Sequence, residues 1–109
     1  MNPNLESRFS VTISTDLIIC RRPDGQIESV AWDDLQAVFL ETTDEGPFDM
    51  DVYWVLVGNR SGCVIPHGAD GEAELLDHLQ KLAGFDNQAV IEAMLTTDNQ
   101  RFLCWRKNP

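Results

Sequence analysis

The hydrophobic pattern changes period after Pro66, and that change limits the fold more than any other feature of the chain. Up to Pro66 the apolar residues alternate with polar ones or come in short runs, as half-buried or buried strands require. Phe9, Val11 and Ile13 alternate with Ser10, Thr12 and Ser14, and residues 17–20 form a compact apolar run. Pro23-Asp24-Gly25 follows with turn chemistry: Pro presets φ, Asp tolerates the next position, and Gly accepts a positive φ. The chain resumes with Ile27 and Val30, which predicts a hairpin centred on Asp24. Trp32-Asp33-Asp34-Leu35 interrupts the strands with a turn or one helical turn. Strands are expected again over 38–43, 52–57 and 63–65. The second of these, VYWVLV, is apolar enough for a central strand covered on both faces.

From Asp70 the spacing is helical. Leu75, Leu76, Leu79 and Leu82 fall on one face, with Glu72 and Glu74 in the first turn, Lys81 in the last and Gly84 just past the end. Asp86 suits the N-cap of a second helix, whose apolar stripe is Val90, Ile91, Met94 and Leu95. Residues 102–105 read as a final strand. Helices this short need a sheet to cover. The expected fold is α+β: a bent antiparallel sheet or partly closed barrel of about six strands, then two short helices and a last short strand. A length of 109 residues suits one domain, 1–109, with an ordered core over about 8–106.

Charge excludes some functions. Eight Lys+Arg against 18 Asp+Glu gives −10, which disfavours nucleic acid and anionic membrane as partners. No apolar run reaches the roughly 18 residues of a membrane span. Cys20, Cys63 and Cys104 are odd in number and set in apolar stretches, so they are expected as buried thiols in a reducing cytoplasm. No CxxC, HxxxH, P-loop, GxGxxG or GxSxG pattern occurs, so no catalytic residue, metal ligand or cofactor is expected. Cys63 and His67 make only one loose pair. Arg21 and Arg22, beside the hairpin turn, are the only residues placed to meet a lipid headgroup or phosphate, and edge protection explains them equally.

The stretch ESVAWDDLQAVFLETT, within residues 9–66, resembles the small bacterial domains with a pleckstrin-homology-like or GRAM-like fold. The likeness rests on a strand, a Trp-Asp-Asp-Leu-x-x-Val turn and the next strand. It implies a sheet bent toward a barrel and carries no functional residue over. The chain departs from that pattern in ending with two short helices and a strand instead of one long helix. The chain is also similar to small acidic bacterial proteins that include immunity partners of secreted toxins.

The candidate site is acidic. Asp33, Asp34, Glu41, Asp44, Glu45, Asp49 and Asp51 fall within 33–51 with no Lys or Arg among them, and Phe48 and Met50 are apolar anchors set between the acids. A calcium loop would need another register of acids and a central glycine. The expected interaction residues are therefore Glu41, Asp44, Glu45, Phe48, Asp49, Met50 and Asp51, meeting a basic protein, with Trp32 lining a surface groove. The alternative is a small-molecule-binding or enzymatic domain with a pocket between sheet and helices.

Overall fold

The structure, a computed structural model, describes residues 9–43, 51–96 and 98–107. Its strands are β1 (Ser10–Ile13), β2 (Leu17–Arg21), β3 (Ile27–Ala31), β4 (Leu35–Thr43), β5 (Asp51–Gly58), β6 (Gly62–Pro66) and β7 (Gln100–Arg106). Two helices, α1 (Glu72–Leu79) and α2 (Asn87–Leu95), lie between β6 and β7, so the change of period after Pro66 is a change of element. The β2–β3 hairpin turns where the sequence places it. Gly25 has φ +90°, its N–H bonds the Arg22 carbonyl at 3.0 Å, and the Asp24 carboxylate accepts from the Gln26 N–H at 3.0 Å.

The strands form two antiparallel sheets, ordered β1-β2-β3 and β6-β5-β4-β7, rather than one bent sheet or a partly closed barrel. The break falls between β3 and β6, where side chains take the place of a backbone ladder. One Glu28 carboxylate oxygen accepts from the Val64 N–H at 3.3 Å, while the Cys20 thiol faces the Val64 carbonyl at 3.9 Å. Arg22 Nη1 lies 3.5 Å from the other Glu28 oxygen. The exposed backbone of β6 is thus occupied at Val64 without closing the sheets on each other. The final strand does not extend the chain at an outer margin beyond β6. It returns to pair with β4, Leu40 opposite Phe102 and Glu41 opposite Arg101.

The connection into α1 covers the free edge of β1. The Val11 N–H bonds the Asp70 carbonyl at 2.7 Å, and the Asp70 N–H bonds the Phe9 carbonyl at 3.1 Å. Gly71, the helix N-cap, has φ +90°, and any Cβ there would run into the Val11 carbonyl oxygen. Only glycine fits a backbone approach of this kind. The helix is then pinned beside the three-stranded sheet, and Leu75 and Leu79 are fully buried.

One cluster of buried side chains joins all of these elements. Ile18 and Val30 of the first sheet meet Leu40, Trp54, Leu56 and Ile65 of the second, Leu75 and Leu79 of α1, Ala89 and Ala93 of α2, and Cys104 of β7. All three cysteines are buried free thiols. Burial pushes the Cys63 thiol up to about 12 and Cys104 up to about 11, so both stay protonated and behave as small apolar groups.

Three local expectations need correcting. Helix α1 stops at Leu79, two residues before Lys81, and Gly84 lies in the following turn with φ +85°. Strand β5 is covered on its inner face only: Trp54 and Leu56 are buried, Val55 is half-buried and Val57 is exposed. Helix α2 turns to the core only one residue of the stripe its pattern predicts, Val90, which is half-buried there. Ala89 and Ala93 point inward, whereas Ile91, Met94 and Leu95 are 51, 40 and 76 % exposed. The Asp86 N–H bonds the Cys104 carbonyl at 2.7 Å, which holds the start of α2 against the backbone of β7. At that distance small side chains fit between helix and strand, and large ones turn away.

Candidate interaction surface

The expected site residues divide between the two ends of β4. At the far end, Thr43 pairs with Asp51 where β4 and β5 separate. Asp44, Glu45, Phe48, Asp49 and Met50 lie outside the described residues, as does the side chain of Asp51. The base of this segment is tied to the start of β7. The Thr42 hydroxyl donates to the Asp98 carbonyl at 2.6 Å and accepts from the Gln100 N–H at 3.1 Å. Thr42 is 2 % exposed, so its polar atom is satisfied inside the fold. Helix α2 ends at Leu95, three residues before Asp98, whose carbonyl Thr42 holds. Its outward stripe of Ile91, Met94 and Leu95 therefore belongs to the same end of the molecule as the roots of the acidic segment.

The residues flanking this stripe in sequence carry one sign of charge. Glu92 and Asp98 are exposed beside it, and no Lys or Arg occurs between Lys81 and Arg101. Helix dipoles do not account for these acids: α2 has no acid in its first turn, and its N-terminus is served by Asp86, whose carboxylate accepts from the Ala89 N–H at 3.1 Å.

Two acids of the 33–51 block are occupied within the fold. Glu41 is held by Arg101, whose Nε and Nη2 lie 3.0 and 2.6 Å from one carboxylate oxygen, with the guanidinium 5.1 Å over the Phe39 ring. Asp34 organises the β5–β6 turn: its carboxylate accepts from the Arg60 N–H at 3.3 Å, and its carbonyl from the Asn59 N–H at 3.3 Å. Arg22, one of the two basic residues beside the hairpin, is likewise engaged with Glu28 and lies 5.7 Å from the Phe9 ring centroid.

Trp32 sits at the opposite end, immediately before β4, which spans about 30 Å at strand rise. Its indole N–H donates to the Ser14 carbonyl at 3.1 Å, and its ring stacks on His78 with centroids 6.0 Å apart. The two rings form one wall of an open groove of about 630 Å³, completed by Ile13, Thr15, Lys81 and Leu82. The groove that Trp32 lines is separate from the acidic end. His78 is half-buried against the indole.

A further polar cluster escaped the sequence reading. The Glu72 carboxylate gathers the buried Trp54 indole N–H at 2.8 Å, His67 Nδ1 at 2.8 Å and the Gly68 N–H at 2.8 Å. Facing a carboxylate, His67 Nδ1 carries the ring proton. Burial acts to raise the Glu72 carboxyl, but the three hydrogen bonds outweigh it and hold the group below its ordinary value. The cluster ties α1 to the β6–α1 loop and satisfies the largest buried side chain of the core. Nothing in the spacing of Trp54, His67 and Glu72 announces it, because the indole arrives from another strand.

Among the described residues, no group of three or more His, Cys, Asp or Glu is placed to hold a metal ion, and no helix is long and apolar enough to cross a membrane. What the arrangement offers chemically is recognition by charge and apolar contact. Comparison with protein-family models, with curated proteins and with solved structures finds no match to this chain.

Proposed function

We propose that the protein is a non-catalytic interaction module of the immunity-like kind, which receives a basic, amphipathic segment of a partner protein at its acidic end. The observation that carries this reading is the outward stripe of α2. Three large apolar side chains are exposed beside acids, next to the roots of the segment holding Asp44, Glu45, Phe48, Asp49 and Met50. Apolar anchors within a like-charged rim suit a partner of opposite charge. We further propose that residues 9–66 are related to the pleckstrin-homology-like domains they resemble, a reading that rests on the Trp-Asp-Asp-Leu-x-x-Val stretch at 32–38.

The test uses a synthetic amphipathic Lys/Leu helix as the probe, with a peptide of the same composition and scrambled order as control. The ordered peptide is expected to bind more tightly. Replacing Asp44, Glu45, Asp49 and Asp51 with their amides should weaken it roughly tenfold at low salt, as should raising the salt to about 0.3 M. Leu95→Ser should weaken the ordered peptide alone. Equal binding of both peptides, or no response to the amide variants at low salt, overturns the proposal.

A second reading, a small-molecule site between sheet and helices, is favoured by one observation, the Trp32–His78 groove. The groove is open to solvent and the core beneath it is filled, which supports the interaction reading over a buried substrate site.

A further inference from the structure

Strand register places Val64, Val55, Phe39 and Leu103 side by side on the outer face of the four-stranded sheet, one from each strand. Val57 flanks this row, and Val57, Val64 and Leu103 are 36, 42 and 44 % exposed. An antiparallel sheet with one solvated face normally sets polar residues there. The three-stranded sheet does so in part, with Thr12 and Ser29 flanking Ile19 in its corresponding row. The larger sheet is apolar across its full width.

We propose that this face is the interface of a weak homodimer, in which a second copy of the chain packs sheet on sheet through a two-fold axis. The register makes the face self-complementary. A two-fold running along the strands between β4 and β5 brings Phe39, with the Arg101 guanidinium over its ring, onto the partner copy's β5 and Leu103 onto its β6, so the two rows face each other. The same operation sets Arg101 over the strand position of Pro66, Arg106 over that of Gly62, and Glu41 over that of Tyr53. No like charges confront each other. Two chains of charge −10 repel over most of their surface, but this face holds one acid in its three central rows, Glu41, and Arg101 already neutralises it. It is the approach on which a second acidic copy meets least opposition.

Size sets the strength. Four strands about 4.8 Å apart, over five residues of about 3.4 Å rise, give a few hundred Å² of sheet per copy. Stable interfaces bury about 800 Å² per partner, so the dimer belongs to the weak, concentration-dependent class. Aligned sheets about 10 Å apart and crossed by about 30° accommodate these side chains.

Sedimentation equilibrium of the full chain, from about 10 µM to 1 mM and at about 0.05 and 0.5 M salt, tests the proposal. The weight-average mass should rise from 12.3 kDa toward twice that value. Association should strengthen at the higher salt, because screening removes repulsion between the acidic chains while the apolar contact remains. Leu103→Lys and Val64→Lys, both at exposed positions, should each weaken association tenfold or more, and circular dichroism checks that each still folds. Leu95→Ser, on α2, should leave association unchanged. A monomer at every concentration and salt overturns the homodimer and leaves this face to another protein. Association that survives both lysine variants overturns it as well. The salt response is opposite in sign to that of a basic partner at the acidic end, so the two proposals fail independently.

Discussion

Helices α1 and α2 are neighbours in sequence and nearly equal in length, yet they use their apolar residues in opposite ways. Helix α1 buries the leucines its spacing marks, Leu75 and Leu79, and fastens its first turn through Glu72. Helix α2 buries two alanines and leaves Ile91, Met94 and Leu95 outside. Both patterns are amphipathic by periodicity, and only one of them describes the core. The difference lies in how closely each helix approaches its support. Gly71 and the Asp70 backbone seat α1 where long side chains still fill the space between the sheets. The Asp86–Cys104 hydrogen bond draws the start of α2 onto β7, and the fully inward positions of the helix are the alanines. An apolar stripe therefore does not by itself identify the face that a helix turns to its own core.

This contrast is open to direct attack. The largest effect is expected from Leu79→Ala, which should cost about 2–5 kcal/mol by leaving a cavity among fully buried neighbours, read as a loss of the denaturation midpoint. A loss below about 1 kcal/mol would mean that α1 is no better packed than α2.

Glu72→Gln comes next, at about 1–2 kcal/mol near neutral pH, because the amide presents one acceptor to three donors. Its pH dependence has a definite sign. The folded-state carboxyl lies below its ordinary value, so its stabilisation is complete above the unfolded-state value, near 4.5. It is lost as the pH falls through the folded-state value. The gap between wild type and Glu72→Gln should therefore be widest at pH 6–7 and narrow steadily below about pH 4.5, measured by urea unfolding at each pH. A gap that does not change with pH would show that the carboxylate's charge contributes nothing.

The smallest effect belongs to Leu95→Ser, within about 0.5 kcal/mol of wild type, since the side chain is 76 % exposed. A loss comparable to that of Leu79→Ala would place the α2 stripe in the core after all.

Much of the architecture was legible in the chain itself. The period change, the Pro23-Asp24-Gly25 turn, the Asp86 cap and the burial of the three cysteines all follow from local chemistry, and each is found where it is expected. What was not legible depends on partners distant in sequence. The split into two sheets depends on Glu28 reaching Val64, 36 residues away, with a side chain in place of a ladder. The role of Glu72 depends on an indole from β5, and the facing of α2 on a backbone hydrogen bond to β7. For the site, the sequence marks Trp32 as a groove residue and Glu41 as an acid near a loop. It gives no sign that these two lie at opposite ends of one strand, or that Arg101 already holds Glu41.

The pairing of β7 with β4 has a consequence for how the molecule comes into being. A ribosome delivers β4 some sixty residues ahead of the strand that shields its flank, with the rest of the four-stranded sheet and both helices synthesised in between. Throughout that interval β4 offers an unfilled margin, with Leu40 and Thr42 waiting for neighbours that are still to be translated. A nascent chain stalled before residue 100 has both helices and six of the seven strands found among the described residues, yet lacks the one that pairs with β4 in the larger sheet. Completion of the larger sheet therefore waits for residues 100–106, and until they are made an open strand is exposed to pairing with another chain.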